Sequence, residues 1–152
     1  MIRHMQAGDI DEVLAMFLAE YEEMPGPLAA ITLNLERARA VIESSLEGGD
    51  DHLIVSDMEG ELRGLLWFVV GDFIPWSSDV VAIDQVVYVK PAYRGTYTGA
   101  ALAKHYTRLA HEMGARAAYL SAGSGINDEG AAALYHALGY QPAGKQMMRS
   151  MP

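Results

Sequence analysis

The segment "VKPAYRGTYTGAALAKHY" (residues 89–106) joins a strand end, a proline, a glycine-containing turn and the start of an alanine-rich helix. It contains no acidic residue, although the whole chain has a formal net charge of −9. Glycines in the turn permit a close backbone approach, and the free amides and dipole of a helix N-terminus attract anions. Because Arg94, Thr96 and Thr98 add a positive charge and hydroxyl donors, the segment predicts a diphosphate site. By itself, it is also typical of an ordinary strand-to-helix connection capped by a threonine.

The composition is typical of one globular domain covering residues 1–152. No run reaches the roughly 18 apolar residues needed to span a bilayer, so we expect no membrane partner. The excess of 20 acidic over 11 basic residues opposes nucleic-acid binding and favours a cationic or amine partner. The absence of cysteine excludes cysteine nucleophiles and zinc–thiolate sites, and with no secretion signal we expect a cytoplasmic protein.

Hydrophobic periodicity predicts helices and strands that alternate along the chain. A short first strand is followed by two amphipathic helices, the second opened by Asn34, and then by three strands up to residue 89. The first two of these three strands meet at a turn at Glu59 and Gly60. A helix ending near Gly114, a strand in residues 116–123 and a helix ending at Gly139 come next. One or two closing strands in residues 141–151 complete the predicted order β-α-α-β-β-β-α-β-α-β(-β).

Two adjacent polar residues, Asp84 and Gln85, interrupt an otherwise apolar predicted strand at residues 80–89. Successive strand residues face opposite sides, so both can avoid the core only if the strand contains a bulge. One interpretation is a bulge in which both residues find main-chain partners. The other is a partly desolvated carboxylate with a raised pKa, which is suited to accept a proton.

The segment "VYVKPAYRGTYTGA" (residues 87–100) resembles the signature of the GCN5-related N-acetyltransferase (GNAT) superfamily. That signature is a strand end, a proline, and then R/Q-x-x-G-x-G/A at the start of a helix. Arg94 and Gly99 match its first and last positions, whereas Tyr97 stands where the family usually has glycine.

A second segment, "DEGAAALYHALGY" (residues 128–140), resembles the late phrase of the same family, in which an Asn precedes alanines, Leu-Tyr and Gly-Phe. Tyr135 falls on the tyrosine that acts as general acid in many members, although it also fits a plain core aromatic. Asn127 lies one residue earlier than the phrase would place it, with Asp128 in the expected slot.

The resemblance implies an α/β (α+β) fold whose mixed, mostly antiparallel sheet of six to seven strands is flanked by four helices. It implies acetyl transfer from acetyl-CoA, as co-substrate, to a primary amine of a small molecule or peptide by direct attack, without a metal. The implied catalytic residues are Tyr135 as acid and Asp84 as base, with Gln85 as the alternative that orients a water. The implied cofactor contacts are Val87, Tyr88, Val89, Arg94, Gly95, Thr96, Tyr97, Thr98, Gly99, Ala100 and Asn127.

Two alternatives stay open at this point. The protein could be a non-catalytic acyl-CoA-binding regulatory module of the same fold, because Tyr97 alters the turn and the base assignment is weak. At the end of the first helix, Glu20, Glu22 and Glu23 either line the acceptor pocket, as the resemblance implies, or lie on a solvated helix end. A homodimer is one assembly that the sequence allows.

Overall fold

A computed structural model describes residues 1–26 and 30–151 of the chain. These residues form five strands and four helices, with short 3-10 turns at residues 7–9 and 91–93. The elements are β1 (Ile2–His4), α1 (Ile10–Glu23), α2 (Leu35–Leu46), β2 (Asp51–Met58), β3 (Glu61–Gly71), β4 (Val81–Val89), α3 (Thr98–Glu112), β5 (Ala117–Tyr119) and α4 (Asp128–Ala137). The predicted order is confirmed as far as α4.

Local sequence signals set most of these element ends. The side chain of Asn34 accepts a 2.9 Å hydrogen bond from the amide of Arg37 and caps α2. Glu59 and Gly60 both have positive φ, 56° and 88°, as the tight turn between β2 and β3 requires.

The strands form one sheet in the order β1-β2-β3-β4-β5. Neighbours from β1 to β4 are antiparallel, whereas β4 and β5 run parallel. The β4–β5 pair extends only over residues 81–83 of β4 and residues 117–119 of β5. Beyond that point the two chains separate, and residues 84–89 of β4 have no strand partner on this side within the described part of the chain.

Different helices cover the two faces of the sheet. On one face α1 and α2 pack so that Phe17 and Ile42 share a buried cluster with Tyr88 of β4. On the other face α3 packs so that Tyr106 meets Phe68 edge-to-face, with ring centroids 4.9 Å apart. The sheet therefore separates an α1/α2 side from an α3 side, and both sides reach the point where β4 and β5 part.

A β-bulge accommodates the adjacent polar residues of β4, which confirms that the strand is bulged. Trp67 pairs with Val86 and Phe68 pairs with Asp84, so Gln85 is the extra residue opposite β3. Asp84 is buried on the α3 side, whereas Gln85 is exposed and its amide nitrogen lies 3.4 Å from the carbonyl oxygen of Asp84.

The prediction of six to seven strands was wrong, because the described residues contain five. Residues 141–151, where one or two closing strands were expected, have no regular secondary structure and are exposed. Pro142 lacks the amide that a ladder needs, and Gly144 has a φ of 148°, which is unfavourable within a strand. The edge strand β5 is also only three residues long, so it offers a short edge for pairing.

We expect Gly64→Ala to lower the free energy of unfolding by about 1–3 kcal/mol. A β-carbon at Gly64 would stand 2.7 Å from the carbonyl oxygen of Tyr88, and a main-chain neighbour cannot move away as a flexible side chain could. Urea unfolding would measure the change. Gly123→Ala is the matched control, because its added carbon meets no atom within 4 Å. Equal stability of the two variants would contradict this close approach of β3 and β4.

Candidate active site

Asp84 links the two sides of the fork at which β4 and β5 separate. Its carboxylate accepts hydrogen bonds from both the amide (2.9 Å) and the hydroxyl (3.0 Å) of Ser121, which follows β5. Burial raises the pKa of Asp84, and the two bonds from Ser121 partly oppose that rise. Because both oxygens are engaged, Asp84 holds the fork together in this structure, and its role as base stays a prediction.

Three tyrosines, Tyr106, Tyr135 and Tyr140, lie near enough to Asp84 for its charge to raise their pKa values, in addition to the larger effect of burial. Tyr106 donates to a main-chain carbonyl 2.8 Å away, and the hydroxyl of Tyr140 lies 2.7 Å from a threonine hydroxyl. The hydroxyl of Tyr135, a residue only 7% exposed, makes no hydrogen bond to any described residue. Tyr135 is therefore the one of the three whose hydroxyl is free for a bound molecule, and its raised pKa keeps it protonated near neutral pH.

The helix that carries Tyr135 packs beside α3. A β-carbon at Gly99, near the start of α3, would lie 3.4 Å from Cδ2 of Leu134. Asn127 precedes α4 and is exposed, and its side chain covers Gly130, since a β-carbon there would fall within 3 Å of it. A contact of Asn127 with the cofactor stays a prediction.

The three residues expected to bond the pantetheine arm, Val87, Tyr88 and Val89, lie on the part of β4 that has no strand partner beyond β3 among the described residues. Val87 and Val89 are half-buried and pack toward the α3 cluster, while Tyr88 is buried on the α1/α2 side. Their free main-chain edge faces the opening of the fork.

The turn after β4 presents unpaired amides at the N-terminus of α3. The hydroxyl of Thr96 donates to the carbonyl of Tyr93 at 2.6 Å, and the hydroxyl of Thr98 lies 3.0 Å from that of Thr96. The amide of Thr98 also points toward the Thr96 hydroxyl, at 3.3 Å. The amides of Gly99 and Ala100 donate to no group in residues 1–26 or 30–151, so they are available to an anion.

Tyr97, at the position where glycine is usual, does not obstruct this turn. Its backbone is right-handed, with φ −70° and ψ −7°, a conformation that any residue can adopt. Its ring is 64% exposed and points along α3, where the ammonium of Lys104 lies 3.1 Å from the hydroxyl and 5.1 Å from the ring centroid. The left-handed conformation is taken instead by Gly95, with φ 75°.

Arg94, the expected pyrophosphate contact, is bound by groups of the protein itself. Its guanidinium forms a two-pronged ion pair with the carboxylate of Glu23 at 2.7 and 2.9 Å, and its Nε donates to the carbonyl of Val89 at 2.9 Å. Glu23 also accepts a 2.7 Å hydrogen bond from the hydroxyl of Tyr88. Arg94 therefore fastens the turn to the end of α1, a contact that local sequence patterns do not reveal because Glu23 lies 71 residues earlier.

Glu20 is a further titratable residue at this end of α1, one turn before Glu23. Its side chain is partly buried, and burial together with the charge of Glu23 raises its pKa to about 7, against the opposing charge of Arg94. Glu22, between them, is exposed. Of the three glutamates, Glu23 contacts Tyr88 and Arg94, Glu20 is half-buried near them, and Glu22 is exposed; a role in the acceptor pocket stays a prediction.

Two loops meet across the α1/α2 side of the fork. A β-carbon at Gly125, in the loop after β5, would lie 2.9 Å from Cγ of Pro25, in the connection after α1. The site thus has β4 as its floor, the turn at residues 94–100 at one end, and the ends of α1 and α4 on opposite sides.

Comparison with known proteins agrees with this architecture. Residues 12–140 match the model of the acetyltransferase (GNAT) family. No helix among the described residues is long and apolar enough to cross a membrane. Among curated protein sequences none matches the chain significantly.

Solved structures with the same fold include an acetyltransferase from Trypanosoma brucei, with 19% identity, 99% of each chain covered and a TM-score of 0.74. An aminoglycoside acetyltransferase from an uncultured soil metagenomic sample, in complex with sisomicin, has 15% identity and a TM-score of 0.67, covering 100% of this chain and 93% of its own. A transcriptional regulator from Bacillus halodurans has 17% identity, 99% of each chain covered and a TM-score of 0.74. At these identities the likeness shows the fold alone. The family match over residues 12–140 shows that the chain belongs to the GNAT acetyltransferase family.

Proposed function

We propose that this protein is an acetyl-CoA-dependent N-acetyltransferase that acetylates a primary amine of a small molecule or peptide. The observation that carries the proposal is the fork between β4 and β5, which has unpaired helix amides at one end and the free hydroxyl of Tyr135 at its side. The site carries more weight than the fold, because one fold can host many activities.

The chain's own groups suit the two polar parts of coenzyme A. The amides of Gly99 and Ala100, at the positive end of the α3 dipole, suit a pyrophosphate. The unpaired edge of β4 suits the amides of a pantetheine arm, which would add to it as an extra strand does. Acetyl-CoA supplies the thioester acetyl group when it is bound.

Direct transfer needs positioning, a polarised carbonyl and a proton for the leaving thiolate. An amide on the free edge of β4 would stabilise the oxygen of the reacting carbonyl. Tyr135 would donate the proton, since its hydroxyl is protonated and unpaired among the described residues. Asp84 would act as base while its two oxygens also accept from Ser121, and Gln85 could only orient a water.

The test is to incubate the purified protein with acetyl-CoA and a panel of amines that includes spermidine, p-anisidine and an aminoglycoside such as sisomicin. Release of free thiol and the mass of the acetylated product would report turnover. Acetyl-CoA binding without turnover on any amine would favour the non-catalytic module. Failure to bind acetyl-CoA would contradict both functions.

We expect Arg94→Ala to weaken acetyl-CoA binding by about 1–3 kcal/mol, as the loss of a charge-assisted contact near phosphate predicts. Arg94 also anchors the turn on Val89 and Glu23, so its removal loosens the amides that would hold the anion. Isothermal titration calorimetry would measure the dissociation constant, with Arg94→Lys as the control that keeps the charge without the two-pronged geometry. An unchanged constant would show that the turn does not depend on Arg94 for cofactor binding.

A further inference from the structure

We propose that Glu20 is the group that takes the proton from the acceptor amine, and that the acceptor is therefore a cationic amine bound at the end of α1. This inference rests on the proposed acetyltransferase function and adds to it a base and a substrate class.

The path of α1 along the sheet places Glu20 over the α1/α2 face of β4. Phe17 stacks on the tryptophan that pairs with Val86, with ring centroids 5.5 Å apart. Six residues later, Glu23 accepts the hydrogen bond from Tyr88. Residues three apart lie on the same helix face, so Glu20 lies between the levels of Val86 and Tyr88, next to the residues expected to bond the pantetheine arm.

The carboxylates of Glu20 and Glu23 differ in their bonding partners and are therefore suited to different roles. Glu23 is held by Arg94 and Tyr88, and these contacts, the bond from Arg94 first, lower its pKa and keep it charged. Glu20 makes no hydrogen bond or ion pair with any residue in the described ranges, so its oxygens are free for a ligand. Arg94 balances the charge of Glu23, so the ionised carboxylate of Glu20 is the group that suits an ammonium.

The charged and titratable groups that face Glu20 are Glu23 on α1, Tyr88 on β4 and Arg94 in the turn. Burial and the like charge of Glu23 outweigh Arg94 and raise the pKa of Glu20 to about 7. A base with such a pKa is half-ionised near neutral pH and can both take up and release a proton there. Asp84, by contrast, lies on the α3 side of the sheet with both oxygens bonded to Ser121.

In the proposed transfer of the acetyl group to the amine, every proton and bond is accounted for. One proton moves from the acceptor ammonium to a carboxylate oxygen of Glu20, and the nitrogen lone pair then forms the C–N bond to the acetyl carbon. The C–S bond breaks, and the thiolate takes the hydroxyl proton of Tyr135, which regains a proton from the nitrogen. The products are the acetamide and free coenzyme A thiol, and Glu20 passes its proton to solvent.

The experiment compares wild type, Glu20→Gln and Glu22→Gln in the acetylation of spermidine and sisomicin, both cationic, and of p-anisidine, an arylamine that is neutral near pH 7. We expect Glu20→Gln to lower kcat/KM for the cationic amines at least about tenfold, and Glu22→Gln to have little effect. The wild-type pH profile should bend near pH 7, because only the ionised carboxylate accepts a proton. That bend should be missing from Glu20→Gln. Thermal melts and the dissociation constant of acetyl-CoA check that the fold and the cofactor site of Glu20→Gln remain. A Glu20→Asp variant, measured in the same way, tests whether a carboxylate at this position is enough for activity.

The measured activities distinguish a failure of this inference from a failure of the proposed function. Equal activity of Glu20→Gln and Glu22→Gln, or a bend near pH 7 that disappears in Asp84→Asn instead, would overturn it and leave the proposed function standing. Wild-type turnover of p-anisidine but of neither cationic amine would overturn the substrate class. A wild type that acetylates no amine at all would overturn the proposed function, and this inference with it.

Discussion

Tyr135→Phe is expected to lower kcat by about 10²- to 10³-fold and to leave the dissociation constant of acetyl-CoA within about twofold. The change removes only a hydroxyl that bonds to no described residue, so little native structure is lost. If that hydroxyl supplies the proton for the leaving thiolate, its loss affects the chemical step and not the binding of the cofactor. Stopped-flow thiol release and calorimetry would measure the two quantities separately.

Tyr140→Phe is the matched control for Tyr135→Phe. Its ring lies 6.2 Å from that of Tyr135, but its hydroxyl already bonds to Thr107 at 2.7 Å. We expect a small loss of stability, about 1 kcal/mol, and an almost unchanged kcat. If both variants keep the wild-type kcat, Tyr135 is only a packed aromatic of the core.

Ala100→Glu is expected to weaken acetyl-CoA binding by more than about 2 kcal/mol, or about 30-fold. The new carboxylate would stand in the first turn of α3, where the free amides suit a pyrophosphate, and would both repel it and compete for the amides. The same charge favours the helix dipole, so the variant should fold as stably as wild type or slightly more so. Calorimetry measures the first effect and a thermal melt the second.

The control for this variant is Ala100→Gln, which has nearly the same size and no charge. It should keep most of the affinity, and the difference between Glu and Gln should shrink as salt is added. Equal affinity of the two variants would place the pyrophosphate away from the N-terminus of α3.

Most of the fold could be predicted because its signals are local. Helical spacing, the Asn34 cap and the Glu59–Gly60 turn each depend on residues within a few positions of one another. The bulge at Gln85 was also foreseeable, since two adjacent polar residues cannot both leave the core of a regular strand. The closing strands were not, because pairing depends on whether a neighbouring edge is long enough, and β5 has only three residues.

In the candidate site, too, the features that depend on local sequence could be predicted and those that depend on distant contacts could not. Residue types and spacing were enough to predict an anion site in the turn and a role for the tyrosine of α4, and through these segments to identify the family. They could not show that Tyr97 turns outward, that Ser121 occupies both oxygens of Asp84, or that Tyr106 and Tyr140 are bonded while Tyr135 is free among the described residues.

The contacts of Glu23 at the end of α1 show why local sequence patterns could not predict these side-chain partners. Glu23 meets Tyr88 and Arg94 across 65 and 71 residues of chain, and no local pattern records which distant charge will fill a position. That contact takes Arg94 into an ion pair and leaves Glu20 as the free carboxylate beside it. Short-range stereochemistry thus determines the turn and its amides, whereas long-range packing decides which charged groups are free to act on a substrate.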